Sequence, residues 1–159
     1  MSQTLALRNR HPIRRTDTVR LRRLTLWLLK KPLALQEFEL GIHLVGAQEM
    51  ARVNWDFLQH EGSTDVITFD HAGTDSPNAL HGELFICLDD AVAQAREFGT
   101  TWPEELVRYV IHGVLHLRGH DDLSAGPRRL MKREEGRLLR LAARQFPLRQ
   151  LARRAPKHG

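Results

Sequence analysis

Residues 101–122 read TWPEELVRYVIHGVLHLRGHDD, and this stretch predicts one long helix followed by a sharp reversal of the chain. Thr101 or Thr100 can cap the start of the helix, and Pro103 suits its first turn. The helix should end at Gly119, because only glycine adopts the left-handed conformation after a helix end at low cost. The residues that follow can then fold back toward the last turns of the helix.

Two histidines of this helix indicate a metal site. His112 and His116 lie about 40° apart around the helix and roughly 6 Å apart along it, so both imidazoles can reach one ion. The reversal at Gly119 would bring Asp122 to the same place. The spacing H-x-x-x-H-x-x-G-x-x-ligand is that of metzincin-type zinc sites, with a carboxylate where a third histidine is usual.

The donor set is typical of a catalytic site rather than a structural one. Two neutral imidazoles and one carboxylate leave a divalent ion with an open fourth position. Zn2+ is the expected ion, but the same donor set also suits Fe2+ or Mn2+. His120 and Asp121 stay open as alternatives to Asp122 for the third ligand. Gly113 stands where a metalloprotease helix of the HExxH type carries its glutamate.

Hydrophobic periodicity divides the rest of the chain into helices and strands. Leu21, Leu24 and Leu28 at helical spacing predict a basic helix from Asp17 to near Pro32. The other expected elements are a strand over residues 4–8, a strand over 38–44, a helix with Met50, Val53 and Phe57 on one face, strands over 65–70 and 82–88 with a loop over 71–81 between them, a short helix over 89–98, and a last basic helix over 124–144 with Leu130, Glu134 and Leu138 along one side. This order predicts an α/β (α+β) single domain, with a small three- to four-stranded mixed sheet flanked by about five helices that include the metzincin-like metal helix.

Length and composition indicate one cytoplasmic domain. A chain of 159 residues can bury a core without disulfides, and its single cysteine, Cys87, cannot form an internal bridge. The sequence contains no stretch that resembles a signal peptide and no apolar run long enough for a membrane span. We expect a domain over residues 1–146 and a basic, flexible tail over residues 147–159.

Charge is distributed unevenly along the chain. Residues 1–31 carry a net charge of +8 and residues 127–159 carry +9, whereas residues 32–126 carry −12. If the two basic ends fold over one face, they form a surface suited to a polyanion, because each neutralised phosphate releases counterions. The alternative is that the arginine-rich helices only keep their outer faces solvated.

The block over residues 112–122 resembles a known signature, H-G-x-L-H-L-x-G-[YH]-D-H. It is that of the YbeY family, the metal-dependent endoribonucleases implicated in ribosomal RNA maturation. Residues 63–69 (STDVITF) resemble the family's P-T-D-V-L-S-F strand, and residues 82–87 (GELFIC) resemble its G-D-I-x-I-C strand. The resemblance extends in register over about residues 40–122.

The resemblance implies an endoribonuclease that acts on single-stranded regions of ribosomal RNA precursors, in small-subunit maturation and ribosome quality control, with the small ribosomal subunit as partner. The implied metal ligands are His112, His116 and Asp122. The implied catalytic residues are His112 and a proton shuttle, for which the candidates are Asp121, His120 and Glu83. Since an RNA strand offers its own 2′-hydroxyl, such an enzyme can act without the protease glutamate.

Two departures from the family pattern leave other functions open. The family's third metal histidine falls on Asp122, and its arginine, a proposed phosphate contact, falls on Leu58. Another cation would have to replace that arginine, and the candidates are Arg52, Arg118 and His60. The protein could instead be a catalytically weak RNA-binding ribosome-assembly factor that keeps a structural metal. A metallopeptidase is a further alternative, which Gly113 disfavours.

Overall fold

The computed structural model describes residues 2–71 and 79–153. In this part of the chain the strands are β1 (Gln3–Asn9), β2 (Arg15–Thr16), β3 (Glu37–Val45), β4 (Val66–Asp70), β5 (Ala79–Cys87) and β6 (Ala152–Arg153). The α-helices are α1 (Thr18–Lys30), α2 (Ala47–Leu58), α3 (Leu88–Phe98), α4 (Trp102–Leu117) and α5 (Ala125–Gln145), and a short 3₁₀ helix covers Leu148–Leu151. None of these helices is both long enough and apolar enough to cross a membrane.

Four strands form one mixed sheet in the order β1-β3-β5-β4. β1 and β5 run parallel to β3, whereas β4 runs antiparallel to β5. The expected α/β (α+β) single domain, with a small mixed sheet flanked by about five helices, is confirmed. A separate two-stranded sheet of β2 and β6 was not expected from the sequence.

The two faces of the sheet carry different cores, because successive side chains of a strand point to opposite faces. Leu84 and Ile86 of β5 belong to the main core, to which α1, α4 and α5 contribute. Phe85 and Cys87 belong to a smaller cluster that includes residues of α2. The face of β5 on which a residue lies therefore decides whether it meets α4 or α2.

Two helices bury other residues than the sequence suggested. The buried side chains of α5 are Met131, Leu138, Leu139 and Ala142. Leu130, which we expected on the buried side, is 58% exposed. In α2, Met50 and Val53 are buried as expected, but Phe57 is 66% exposed and packs edge-on against the ring of Phe69. The elements that pack against a helix, rather than its periodicity alone, select which part of its apolar surface is covered.

β5 is longer than predicted. It begins at Ala79 rather than at residue 82, because residues 79–81 already pair with residues 37–39 of β3. Of the loop expected over residues 71–81, only His71 lies outside a strand in the described part of the chain. Residues 72–78 are outside the described residues.

The two basic ends of the chain meet in the structure. β2 pairs with β6 in antiparallel orientation, with Arg15 opposite Arg153. The 3₁₀ helix that precedes β6 buries Leu148 and Leu151, which are 9% and 1% exposed. In contrast to the expected frayed tail, the chain up to Arg153 packs on the domain, because these leucines extend the main core. The later residues lie outside the described part, and the domain boundary at residue 146 stays a prediction.

Candidate metal centre

Local sequence sets both ends of α4. At its start the Thr101 hydroxyl oxygen accepts a hydrogen bond from the backbone N–H of Glu104 over 3.3 Å, so Thr101 rather than Thr100 is the cap. After its end Gly119 has a φ of +96°, and its N–H donates to the carbonyl of His116 over 3.0 Å. A Cβ at Gly119 would meet none of the described atoms within 4 Å, so the left-handed backbone, not a lack of space, favours glycine. The predicted reversal is confirmed.

The reversal brings Asp122 to the two histidines. Its Oδ2 atom lies 3.6 Å from His116 Nε2 and 3.9 Å from His112 Nε2, and the two imidazole centroids are 4.8 Å apart. One ligand atom from each residue lies within 4.8 Å of the other two, so the group could hold a metal ion. Two ligand atoms that each lie about 2.1 Å from a tetrahedral ion are about 3.4 Å apart. The donor types and their spacing therefore fit a divalent ion with only small movements of the side chains.

A carboxylate on α5 fixes the orientation of the His112 ring. His112 Nδ1 lies 2.9 Å from Glu135 Oε2. Because an ionised carboxylate only accepts hydrogen bonds, Nδ1 carries the donated proton, and in the neutral imidazole the lone pair remains on Nε2, which faces Asp122. The hydrogen bond to Glu135 raises the pKa of His112 above its ordinary value, although burial acts in the opposite direction.

Glu135 was not predicted as a site residue from the sequence, although its position in α5 indicates a special role. In α5 this acid lies four residues after the buried Met131 and three before the buried Leu138, and therefore on the core-facing side of the helix. A carboxylate is rare in such a position unless it is paired. The expected stripe through Leu130 and Glu134 was shifted by one residue and so missed it.

An ion-pair network holds Glu135 in place. Glu135 Oε1 lies 3.6 Å from an Arg108 terminal nitrogen, and Arg108 Nε donates to Glu105 Oε2 over 3.1 Å. Glu105 is only 3% exposed, and its other oxygen accepts a hydrogen bond from the Thr100 hydroxyl over 2.8 Å. Both oxygens of the buried Glu105 carboxylate are thus satisfied, which a buried charge requires.

An open cleft of roughly 570 Å³ is lined by two of the three candidate ligands, His112 and Asp122. Residues that line it include His112, Asp122, Glu135, Tyr109, Arg128 and Lys132. Arg128 Nε also donates to the backbone carbonyl of Asp122 over 3.0 Å, which ties this cation to the loop that carries the candidate ligand. Arg128 and Lys132 are the two lining cations beyond Arg108, which is paired with Glu105 and Glu135, and the lining also contains the carboxylates of Asp65 and Asp122.

The structure does not bring His120 or Asp121 into the cluster. Asp121 is exposed, and its Oδ1 accepts a hydrogen bond from the backbone N–H of Leu123 over 2.7 Å. His120 lies near Glu134, whose pKa is lowered mainly by the hydrogen bond from Arg137 and to a smaller extent by His120. Within residues 2–71 and 79–153, the group that could hold an ion contains Asp122 and neither of these alternatives.

Glu83 lies on the other face of the sheet. Its neighbour Gly82 faces Leu117 of α4, so strand alternation points Glu83 away from that helix. The Glu83 carboxylate lies 2.9 Å from His43 Nε2 and 3.1 Å from His71 Nε2, and these two hydrogen bonds lower the pKa of Glu83. The structure therefore separates Glu83, a candidate proton shuttle, from the three candidate metal ligands.

Packing explains why a glycine follows His112. A Cβ at Gly113 would lie 2.7 Å from Leu84 Cδ2 of β5, closer than real side chains approach. Gly113 is buried against the sheet, so a glutamate there could not be accommodated and would point away from the cleft. The base of an HExxH protease is thus sterically excluded at this position.

Leu58 lies in a separate, open cleft at the end of α2. This second cleft has a volume of roughly 440 Å³, and its lining includes Asn54, Leu58, His60 and Ser63. Of the three cations expected to replace the family arginine, His60 therefore shares a cleft with Leu58. Arg52 is exposed on α2, and Arg118 directly follows α4.

Comparisons with known proteins agree with these motifs. A family model described as Endoribonuclease YbeY matches residues 7–142. A curated protein of that name from Bacteroides thetaiotaomicron is 41% identical over 92 residues, which cover 58% of this chain and 65% of that protein. Another from Chlorobium luteolum is 39% identical over 104 residues, which cover 65% of this chain and 74% of that protein. The matched segment thus spans slightly less than two thirds of the first relative.

A solved structure shares the fold. The solution structure of TM1509 from Thermotoga maritima superposes with a TM-score of 0.66 at 24% sequence identity, covering 92% of this chain and 95% of that one. At this identity the likeness concerns the fold alone. The family model, in contrast, covers both histidines, Asp122 and Glu135. On that match, the chain belongs to the YbeY family.

Proposed function

We propose that the protein is a metal-dependent endoribonuclease that cleaves single-stranded regions of ribosomal RNA precursors in the cytoplasm, in small-subunit maturation and ribosome quality control. The observation that carries the proposal is the approach of His112, His116 and Asp122 to within 4.8 Å of one another beside an open cleft. The name of the matching family, Endoribonuclease YbeY, supports the choice of RNA as substrate.

In this proposal each residue of the centre has one task. His112 and His116 bind the ion through their Nε2 atoms, and Asp122 binds it through its carboxylate. The ion is Zn2+, with Fe2+ and Mn2+ as alternatives. When bound, it supplies Lewis-acid polarisation of the phosphodiester and lowers the pKa of the attacking hydroxyl group. Glu135 keeps the His112 ring in the binding tautomer through the hydrogen bond of 2.9 Å.

Cations of the cleft supply the substrate contacts. Arg128 and Lys132 line the same cleft as His112, so they can bind the phosphates on either side of the scissile bond. The proton shuttle remains a choice between His120 and Asp121, both on the loop that follows α4. Glu83 has no part in it, because its carboxylate is bound to two histidines on the opposite face of the sheet.

One observation favours a second candidate function. Leu58 cannot bind a phosphate, and its side chain is 44% exposed at the position of the family's arginine. Without that contact the protein could bind RNA and keep its ion while cleaving slowly, as a ribosome-assembly factor. A peptidase lacks comparable support, because Gly113 has no room for a side chain.

The deciding experiment measures metal content and cleavage on the same preparations. Wild type should bind one ion and cleave single-stranded RNA, and His112→Ala should lose both properties. His81→Ala is the matched control, because it removes a histidine that lies outside the ligand group and should leave both unchanged. RNA binding without cleavage by the metal-loaded wild type would favour the assembly factor, and turnover of a peptide library would favour the peptidase. Full cleavage by metal-free His112→Ala would refute a metal-dependent mechanism.

A further inference from the structure

The pairing of β2 with β6 places two arginines side by side. Arg15 and Arg153 are directly opposite each other in this antiparallel pair, and both are exposed. Neither makes an ion pair with an acid in the described parts of the chain. Like charges in directly opposite positions destabilise a strand pair. The fold therefore tolerates a repulsion that a bound anion would relieve.

A third arginine joins this pair. The Arg14 guanidinium lies over the indole of Trp102, with 5.3 Å between its carbon and the ring centroid. The Arg14 Nε atom is buried and has no hydrogen-bond partner among the residues that the structure describes. An arginine stacked on an aromatic ring is held in position while its in-plane N–H groups stay available for a phosphate. Arg14, Arg15, Arg153 and Trp102 are called the arginine patch below.

The residues of the arginine patch surround an open cavity. These four residues line a cavity of roughly 360 Å³, to which His11 and Asp89 also contribute. Asp89 does not neutralise the arginines by direct contact, because its Oδ1 lies 2.8 Å from His11 Nε2 and its Oδ2 accepts from the backbone N–H of Ala47 over 2.7 Å. Three guanidinium groups thus face one carboxylate that already has two partners.

The arginine patch and the candidate metal centre lie at opposite ends of α4. Trp102 and His116 are separated by 14 residues, which corresponds to a rise of about 21 Å along the helix. Around the helix axis the two residues are only about 40° apart, so they lie on the same side of α4. The cleft beside the metal centre includes Thr100, two residues before Trp102. At about 3.4 Å per nucleotide of a stacked strand, this separation corresponds to roughly six nucleotides.

We propose that the arginine patch is a second phosphate-binding site, which holds the backbone of the single-stranded RNA whose scissile bond lies at the metal centre. This inference rests on the proposed function for the choice of RNA. Guanidinium groups bind phosphate through two parallel hydrogen bonds, and an RNA strand can span the distance between the two sites. An acidic polypeptide would match the charge but would have no reason to connect the patch to the cleft.

The test measures binding without cleavage. A labelled single-stranded RNA of about 12 nucleotides, within the range of known single-strand sites, is titrated against the full chain carrying His112→Ala. Adding Arg15→Ala and Arg153→Ala removes two phosphate contacts, so the slope of log K against log salt should become shallower by about 1.4. The same relation predicts affinity weaker by about 25-fold in 0.1 M salt and about fourfold in 0.4 M salt.

Two controls separate specific contacts from general charge and folding. Lys30→Ala with Arg96→Ala removes the same charge from exposed positions outside the arginine patch, and affinity should change less than about twofold. Arg15→Glu creates an opposite-charge pair with Arg153, so its melting temperature should equal or exceed that of the parent protein while RNA affinity falls. A loss of RNA binding together with a stable fold can only come from the altered surface.

Each arm has an outcome that overturns the inference. RNA affinity and salt slope that survive the double alanine change, or a loss as large in the Lys30 and Arg96 control, would show that the patch does not bind the strand. Equal competition by polyglutamate of matched charge would assign the patch to an acidic polypeptide. Since the readout is binding by a cleavage-deficient protein, an inactive wild type would refute the nuclease proposal and leave this measurement intact.

Discussion

The role of Glu135 can be tested by changing its charge while keeping its shape. Glu135→Gln retains an oxygen that accepts the His112 Nδ1 proton, whereas Glu135→Ala removes the hydrogen bond of 2.9 Å altogether. A charge-assisted hydrogen bond contributes about 1.5–3 kcal/mol and a neutral one about 0.5–1.5 kcal/mol. The loss of binding free energy in Glu135→Gln should not exceed the difference between the two kinds of hydrogen bond, about 1–1.5 kcal/mol. The loss in Glu135→Ala should not exceed the whole contribution of the charge-assisted bond, about 1.5–3 kcal/mol.

These energies convert into losses of metal affinity. At 1.4 kcal/mol per tenfold, Glu135→Gln should weaken metal binding by up to about tenfold, and Glu135→Ala by about 10- to 150-fold. The range agrees with the usual 10- to 100-fold effect of a carboxylate that orients a histidine ligand. The dissociation constant is measured by competition with a chromophoric chelator for each metal-free protein, at one fixed pH.

A neighbouring acid provides the matched control. Glu134 precedes Glu135 on α5, but its carboxylate forms its ion pair with Arg137, and no hydrogen bond joins it to His112 among the described residues. Glu134→Gln should therefore leave the metal dissociation constant unchanged. Thermal unfolding of the metal-free variants reports any general loss of structure. Wild-type affinity in Glu135→Ala, or an equal loss in Glu134→Gln, would refute the assignment of Glu135 as the residue that positions His112.

Three further predictions concern packing, reactivity and pH. Gly113→Ala should lower the free energy of unfolding by about 1–3 kcal/mol in denaturant, because the new Cβ would lie 2.7 Å from a leucine carbon of β5. Gly126→Ala is the control and should not destabilise the protein, because a Cβ there would meet none of the described atoms within 4 Å. Burial raises the pKa of the Cys87 thiol, so native protein should react slowly with a thiol reagent at pH 8 and rapidly once unfolded; fast reaction of the native protein would contradict this. Hydrogen bonds from two histidines lower the pKa of Glu83, so its stabilising effect should be present above the ordinary value of 4.5 and disappear as the pH falls below it. Melting curves of Glu83→Gln and wild type should accordingly converge at low pH, and a difference that does not depend on pH would contradict that origin.

The local features of this protein could be predicted from the sequence, because they depend on neighbouring residues. Thr101 and Gly119 set the ends of α4 through hydrogen bonds with residues three positions away, since the Thr101 hydroxyl accepts from the Glu104 N–H and the Gly119 N–H donates to the His116 carbonyl. The spacing of His112 and His116 follows from the pitch of the helix, and the approach of Asp122 follows from the reversal that a glycine permits. Alternating hydrophobicity likewise identified the central strands, since each strand buries side chains at every second position.

The partners of these elements could not be predicted in the same way. Glu135 meets His112 across 23 residues because α5 buries the face that begins at Met131, one residue away from the face we expected. Glu83 was a proton-shuttle candidate on the basis of the resemblance, yet the pleat of β5 turns it to the opposite face of the sheet. In both cases a shift of one residue decides which side chains meet.

The contact between the two basic ends of the chain shows the same difference between local features and long-range contacts. The sequence by itself determined that both ends are basic and that the three candidate metal ligands meet at the end of α4, because composition and short-range geometry suffice for both. Only the tertiary structure decided that Arg15 faces Arg153 and that Glu135 supports His112. The physical reason is that contacts between distant segments depend on how all the apolar faces pack together, and no local pattern contains that information.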